Sequence, residues 1–98
     1  MQQFMVHITL PSELTEEFFS LIPKQRALVN QLFSKGTLTS YALALDRSKL
    51  WATIAAESEE EVVYIMSQLP LRKFMQIDIH QLAFHQNTSV NLARISMN

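Results

Sequence analysis

Two histidines and one aspartate are the side chains in this sequence best suited to moving a proton. His7 lies near the N-terminus, and Asp78 and His80 lie two residues apart near the C-terminal end. An imidazole titrates near neutral pH and can take up and return a proton, and a neighbouring carboxylate can orient it. We therefore predict His7 and His80 as catalytic residues and Asp78 as the group that orients an imidazole. The alternative is that each histidine is only hydrogen-bonded within an interface.

Other side chains could hold a substrate or an ion. Tyr41 and Trp51 could wall a substrate pocket, although aromatic side chains also dominate the cores of ordinary interfaces. Arg72 could clamp a substrate carboxylate, although a charged residue beside a turn more often faces solvent. Two histidines and a carboxylate can also ligate a metal ion. Their spacing here matches no metal-site motif, so we predict no metal.

Composition excludes several classes of function. The 98 residues include no cysteine and one glycine, which excludes disulfides, thiolate metal sites and glycine-rich phosphate loops. The net charge of −1 is not typical of nucleic-acid-binding proteins, which carry a basic face. No apolar run approaches the length of a membrane span, and the first residues lack a signal-peptide pattern. We expect a cytoplasmic protein that uses no cofactor and binds neither nucleic acid nor membrane.

Hydrophobic periodicity predicts the elements that would position these residues. Strands are predicted over residues 3–10, 37–45, 50–56 and 76–84, and helices over residues 12–35 and 58–69. Ser12 is the expected N-cap of the first helix, and Gly36 is expected to end it in a left-handed conformation. Pro23 should kink this helix or restart it, and we expect one long helix bent near residue 22.

This β-α-β-β-α-β order predicts an α+β fold of the ferredoxin-like kind. Right-handed crossovers then give an antiparallel four-stranded sheet of order 4-1-3-2, with both helices on one face. Alternation along the strands places His7, Asp78, His80 and Trp51 on the other, open face, whereas the face of Tyr41 stays ambiguous. An open face that mixes apolar and polar side chains suits a second copy of the chain.

We therefore predict a dimeric α+β barrel whose interior is the ligand cavity. The barrel domain is expected over residues 1–84. The polar tail over residues 85–98 carries spaced apolar side chains that a small monomer could hardly cover. We expect this tail to pack on a partner subunit.

The stretch from Gln68 to Ile79 resembles the signature of the muconolactone isomerase family. In that family a Gln-Leu-Pro-Leu run and an aromatic–Met pair lead into the last strand, as they do here. The steps Leu10-Pro11 and Gly36-Thr37 resemble the family as well. The resemblance implies a dimeric α+β barrel that forms a homodimer or a higher homo-oligomer. It also implies a cofactor-free reaction that moves a proton and a double bond in a small carboxylate or lactone.

The predicted strand after Gly36-Thr37 departs from the family pattern. The family places bulky aromatic and basic side chains there, whereas residues 38–45 of this chain include neither a charge nor a histidine. Two functions therefore stay open: a cofactor-free isomerase, and a non-catalytic homo-oligomeric module that binds a small molecule. A cofactor-free monooxygenase is a third possibility, and it rests on analogy of fold alone.

Overall fold

Apolar residues at every second position make the first strand, β1 (Gln2–Thr9), two-sided. A computed structural model describes residues 1–86 of the protein. Along β1, Phe4, Val6 and Ile8 are almost wholly buried, and the residues between them are half-buried. The elements that follow are α1 (Glu16–Ser34), β2 (Leu38–Leu43), β3 (Lys49–Ala56), α2 (Glu59–Ser67), a 3₁₀ turn (Arg72–Phe74) and β4 (Gln76–Gln81).

The four strands form one antiparallel sheet in which β1 is central. The order is β2-β3-β1-β4, which is the predicted 4-1-3-2 order read from the opposite edge. The buried face of the sheet packs with buried residues of both helices, such as Val29 of α1 and Val62 and Met66 of α2. The predicted fold class and strand order are therefore confirmed.

The first helix begins later than predicted. The Phe18 backbone N–H donates to the Thr15 hydroxyl at 3.2 Å, so Thr15 is the N-cap and α1 starts at Glu16. The prediction of Ser12 as N-cap is wrong, because the acidic residues that favour the positive end of a helix dipole follow Thr15 directly. The helix continues through Pro23, so the proline does not restart it.

The end of α1 and the start of α2 have the capping interactions that the sequence predicts. Gly36 has a φ of 75°, and the Thr37 N–H donates to the Leu32 carbonyl at 3.0 Å. This left-handed ending favours glycine, which has no Cβ to clash with the backbone. The Ser58 hydroxyl accepts from the Glu61 N–H and caps α2. Neither helix described within residues 1–86 is long and apolar enough to cross a bilayer.

Two strands are shorter than predicted. β2 ends at Leu43, because the chain then turns and the Ala44 N–H donates to the Lys49 carbonyl. β4 ends at Gln81, and the Leu82 N–H makes a final 2.8 Å hydrogen bond to the carbonyl of Gln3. From residue 87 onward the predicted tail lies outside the described residues, so its contact with a partner stays a prediction.

Replacing Pro23 should stabilise the protein. Pro23 lies in the interior of α1 with its ring exposed, and it cannot donate a backbone hydrogen bond to the preceding turn. We expect Pro23→Ala to raise the free energy of unfolding by about 1–3 kcal/mol and the Tm by at least about 4 °C. Urea denaturation and thermal circular dichroism measure both quantities.

The control for this substitution is Lys24→Ala at the next position of α1, which is also exposed. It should change stability by no more than about 0.5 kcal/mol. A Pro23→Ala variant that is no more stable than this control would contradict the expected gain.

Candidate functional site

His7, Asp78 and His80 share the face of the sheet that the helices leave open. In the β1–β4 pairing His7 lies directly opposite Asp78, and His80 lies opposite Met5. Directly opposed side chains have Cβ atoms about 4.5–5.5 Å apart, and diagonal neighbours are somewhat farther apart. The predicted grouping of these three residues on one face is confirmed, and their role in proton transfer stays a prediction.

The His7 ring is also positioned from the other side, by β3. It stacks on the Trp51 indole with ring centroids 6.1 Å apart and an angle of 15° between the ring planes. Trp51 itself remains 38% exposed, so this aromatic pair presents an apolar surface at the middle of the open face. Within residues 1–86, no three histidine, aspartate or glutamate side chains converge closely enough to hold a metal ion.

A bulge in β2 determines which of its side chains reach the open face. The register shifts between Leu38 and Ser40, so Thr39 is an extra residue opposite β3. Both the Thr39 and the Ser40 hydroxyls then lie within 2.7 Å of the Thr53 hydroxyl, which is almost fully buried. After the bulge the residues alternate again, but each lies on the face opposite to the one it would occupy without the extra residue.

Tyr41 consequently lies on the helix side of the sheet. It pairs with Ala52, whose side chain is in the core, and it packs against the core cluster. Trp51 is on the open side, so the sheet separates the two aromatic residues that the sequence suggested as walls of one pocket. The structure removes the ambiguity about the facing of Tyr41, and it does not bring Tyr41 and Trp51 together.

A cavity of about 750 Å³ opens between α1 and the helix side of the sheet; we call it the α1 cavity. This volume lies in the range of small-molecule sites. Its lining is mainly apolar and includes Leu10, Leu14, Phe18, Ile22, Val29 and Leu50. The polar lining residues are Gln25, Arg26, Asn30, Tyr41 and Arg47.

Gln25 joins three parts of the fold at the wall of the α1 cavity. Its side chain is 4% exposed. Its Oε1 accepts from the Leu71 backbone N–H at 3.2 Å, and its Nε2 donates to the Tyr41 hydroxyl oxygen at 3.3 Å. A buried amide is costly unless it is hydrogen-bonded, and both ends of this one are. In the sequence, the one sign of this buried amide is that Gln25 occupies a position within the apolar stripe of the first helix.

Two cationic side chains line the same cavity from different elements. Arg26 lies on α1, next to Gln25, and Arg47 lies in the turn between β2 and β3. The sequence patterns single out neither arginine as a site residue. Among residues 1–86, the side chains that line the cavity include neither a carboxylate nor an imidazole.

Arg47 is held in an unfavourable backbone conformation. Its φ of 65° lies in the left-handed region, where a residue with a side chain is strained by about 1–3 kcal/mol. The next residue ties the turn down, because the Ser48 hydroxyl and N–H both donate to the Asp46 carboxylate. Hydrogen bonds from the Ser48 hydroxyl and, to a smaller extent, from the Ser48 N–H hold the pKa of Asp46 below its usual value. Strain of this kind is common at functional sites.

The side chain of Arg72 bonds to the backbone of its own turn. Its Nη1 donates to the Met75 carbonyl at 2.9 Å and closes the 3₁₀ turn before β4. Its neighbour Lys73 pairs with Glu17 on the exposed surface, where an ion pair contributes little stability. Arg72 is not among the residues that line the α1 cavity, although its neighbour Leu71 is. Its predicted role in binding a substrate carboxylate stays a prediction.

The α1 cavity combines apolar walls with cationic hydrogen-bond donors. Such a lining can desolvate a small apolar body and bind its carboxylate or another oxyanion. Donors that converge on an oxygen can also stabilise the negative charge that develops on it when a neighbouring carbon loses a proton. This arrangement suits both the binding of an acid and chemistry that passes through an enolate.

Comparison with known proteins gives a consistent family and fold. The sequence matches the muconolactone delta-isomerase family over residues 3–88. A crystal structure of muconolactone isomerase superposes with a TM-score of 0.70 and 22% sequence identity, over 89% of this chain and 94% of that one. No curated protein matches the chain.

A second solved structure with this fold is 5-chloro-2-hydroxyhydroquinone dehydrochlorinase from Burkholderia phenoliruptrix AC1100, in complex with 2,5-dihydroxybenzoquinone. It superposes with a TM-score of 0.71 and 13% identity, over 85% of this chain and 95% of that one. At these identities both structures show the fold alone. The family match spans nearly all of the described residues, so this chain belongs to the muconolactone delta-isomerase family.

Proposed function

We propose that this protein takes up a small, largely apolar carboxylate or lactone in the α1 cavity and acts on it as a cofactor-free isomerase. The observation that carries the proposal is the cavity itself, with apolar walls and two arginines from different elements. Family membership supplies the class of reaction. In that reaction a proton leaves one carbon and another carbon is protonated, while the double bond shifts between them.

The side chains of the α1 cavity would stabilise the intermediate of such a reaction. Because neither a carboxylate nor an imidazole is among the lining residues that the structure describes, a water molecule in the cavity would take the proton from the carbon next to the carbonyl and return it to the other carbon. The negative charge that this leaves on the carbonyl oxygen is stabilised by fixed donors. Arg26 and Arg47 supply charged donors, and the Tyr41 hydroxyl supplies a neutral one. One arginine can bind the carboxylate of the substrate while another donor faces the enolate oxygen.

The open sheet face is the second proposed place for proton transfer. Its support is the position of His7 opposite Asp78, where the carboxylate can orient the imidazole. The sheet separates this group from the α1 cavity of the same chain, so one ligand cannot contact both. A substrate of His7 and His80 would therefore be held against the open face, with Trp51 as one wall and a second copy of the chain as the other.

Proton NMR of muconolactone incubated with the protein in heavy water tests the proposed activity. We expect the enol-lactone to appear with deuterium at the exchanging carbon. Arg26→Met should lower kcat/KM at least about tenfold, because a hydrogen bond to a charged group contributes about 1.5–3 kcal/mol. Lys24→Met, on the exposed side of α1, is the matched control and should leave the rate unchanged.

The histidine variants distinguish the two proposed places for proton transfer. Acid–base catalysis on the open face predicts that His7→Ala and His80→Ala each lower turnover about 10²-fold or more. Full activity in both variants would remove the pair from the mechanism. Saturable binding with neither product nor deuterium exchange would instead identify a non-catalytic binding module.

Arg47→Gly separates the binding role of Arg47 from its effect on stability. Glycine adopts a φ of 65° without strain, so we expect the free energy of unfolding to rise by about 0.5–1 kcal/mol. Loss of the guanidinium should at the same time weaken carboxylate binding about tenfold. Urea denaturation and titration calorimetry measure the two effects. A variant that binds as tightly as the native protein would exclude Arg47 from the site.

Trp51→Glu tests the proposed homodimer through the open face. A carboxylate at the centre of a sheet-to-sheet contact loses the apolar area of the indole and must give up its hydration, so it should disrupt the contact. We expect light scattering to report a smaller assembly than that of the native protein. Tyr64→Glu, on the exposed side of α2, is the control and should keep the native mass. An unchanged mass for the Trp51 variant would place the interface elsewhere.

A further inference from the structure

The buried amide of Gln25 has only one chemically sensible orientation. The Leu71 backbone N–H can only donate a hydrogen bond, so the atom that faces it must be the amide oxygen. The amide nitrogen is then the atom 3.3 Å from the Tyr41 hydroxyl, and it must donate to the phenolic oxygen. The orientation of the amide is therefore set by the backbone of the loop that precedes the 3₁₀ turn.

This orientation determines the role of the Tyr41 hydroxyl. A hydroxyl has one hydrogen to donate and lone pairs that accept. Because a lone pair of Tyr41 is occupied by Gln25, the hydroxyl hydrogen points elsewhere, and Tyr41 donates to no other group in residues 1–86. That hydrogen is available to the α1 cavity, which Tyr41 also lines together with Arg26 and Arg47.

We infer that Gln25 is a positioning residue that makes Tyr41 a hydrogen-bond donor and so sets the α1 cavity to recognise an ionised carboxylate, an inference that rests on the proposed function. Three donors from three elements then face one ligand: the hydroxyl of Tyr41 in β2, Arg26 in α1 and Arg47 in the β2–β3 turn. A carboxylate accepts at both oxygens, whereas the NH₂ group of a neutral amide would face these donors with donors of its own.

A matched pair of unreactive probes measures this preference. 3-Phenylpropionate and 3-phenylpropionamide share the same apolar body and differ in the acceptor group. Titration calorimetry of the native protein should give a carboxylate affinity at least about tenfold above that of the amide. Tyr41→Phe should reduce the carboxylate affinity about tenfold, and the control Tyr64→Phe, on exposed α2, should not. Native protein that binds the two probes equally, or neither, would overturn the inference.

A double-mutant cycle tests whether Gln25 acts through Tyr41. Gln25→Leu should lower the carboxylate affinity about threefold to tenfold in the native background, because the hydroxyl is then free to rotate. In the Tyr41→Phe background the same substitution should change the affinity less than about twofold. Equal losses in both backgrounds would mean that Gln25 only supports the fold, and this would overturn the inference.

Gln25→Glu supplies a second variant that keeps the size of the side chain. A carboxylate there can accept from both the Leu71 N–H and the Tyr41 hydroxyl, which turns the hydroxyl hydrogen away from the cavity. The preference should then shift towards the neutral amide probe. An unchanged preference for the carboxylate would overturn the inference, and circular dichroism of each variant checks that it is folded.

The probe experiment also separates this inference from the proposed function. If Arg26→Met leaves probe binding unchanged, the α1 cavity is not the carboxylate site, and the proposed function fails there. If Arg26→Met weakens binding but the Gln25–Tyr41 cycle shows no coupling, the carboxylate site stands and the role of Gln25 is wrong. Because the probes do not react, absence of isomerisation does not affect either result.

Discussion

The position of β1 between two partner strands is the constraint on which the rest of the structure depends. Its backbone bonds to β3 on one side and β4 on the other, so its alternation assigns a face to the side chains of both neighbours. A slip of one residue would turn Phe4, Val6 and Ile8 out of the core and replace them with the other face of β1, which carries the polar residues His7 and Thr9. The cost of exposing those side chains holds the register.

The register of β1 also determines what each face of the sheet can do. Toward the helices it leaves an apolar floor on which α1 packs, with the α1 cavity where that packing is incomplete. On the other side it aligns His7 with Asp78 and with Trp51. The sheet keeps the two groups apart, so the cationic donors and the imidazoles of one chain lie on opposite sides of it.

Backbone irregularities position the polar groups of the α1 cavity. The bulge after Leu38 reverses the facing of the residues that follow and brings Tyr41 to the helix side. The left-handed residue in the next turn, Arg47, is kept there by hydrogen bonds of Asp46 and Ser48, although the conformation is strained. Gln25 then connects Tyr41 to the backbone at Leu71. The left-handed conformation of Arg47 costs free energy, and such strain is common at functional sites.

The sequence by itself determined the strand order, the helix side of the sheet and the grouping of His7, Asp78 and His80, because these follow from local alternation and from the handedness of crossovers. The stretch from Gln68 to Ile79 likewise indicated the family. Only the tertiary structure decided the facing of Tyr41 and the α1 cavity. A single bulge residue reverses alternation without any change in composition, and the contact of Gln25 with Leu71 joins residues 46 positions apart. Local sequence patterns cannot predict contacts between residues so far apart in the chain, since the packing of α1 on the sheet brings them together.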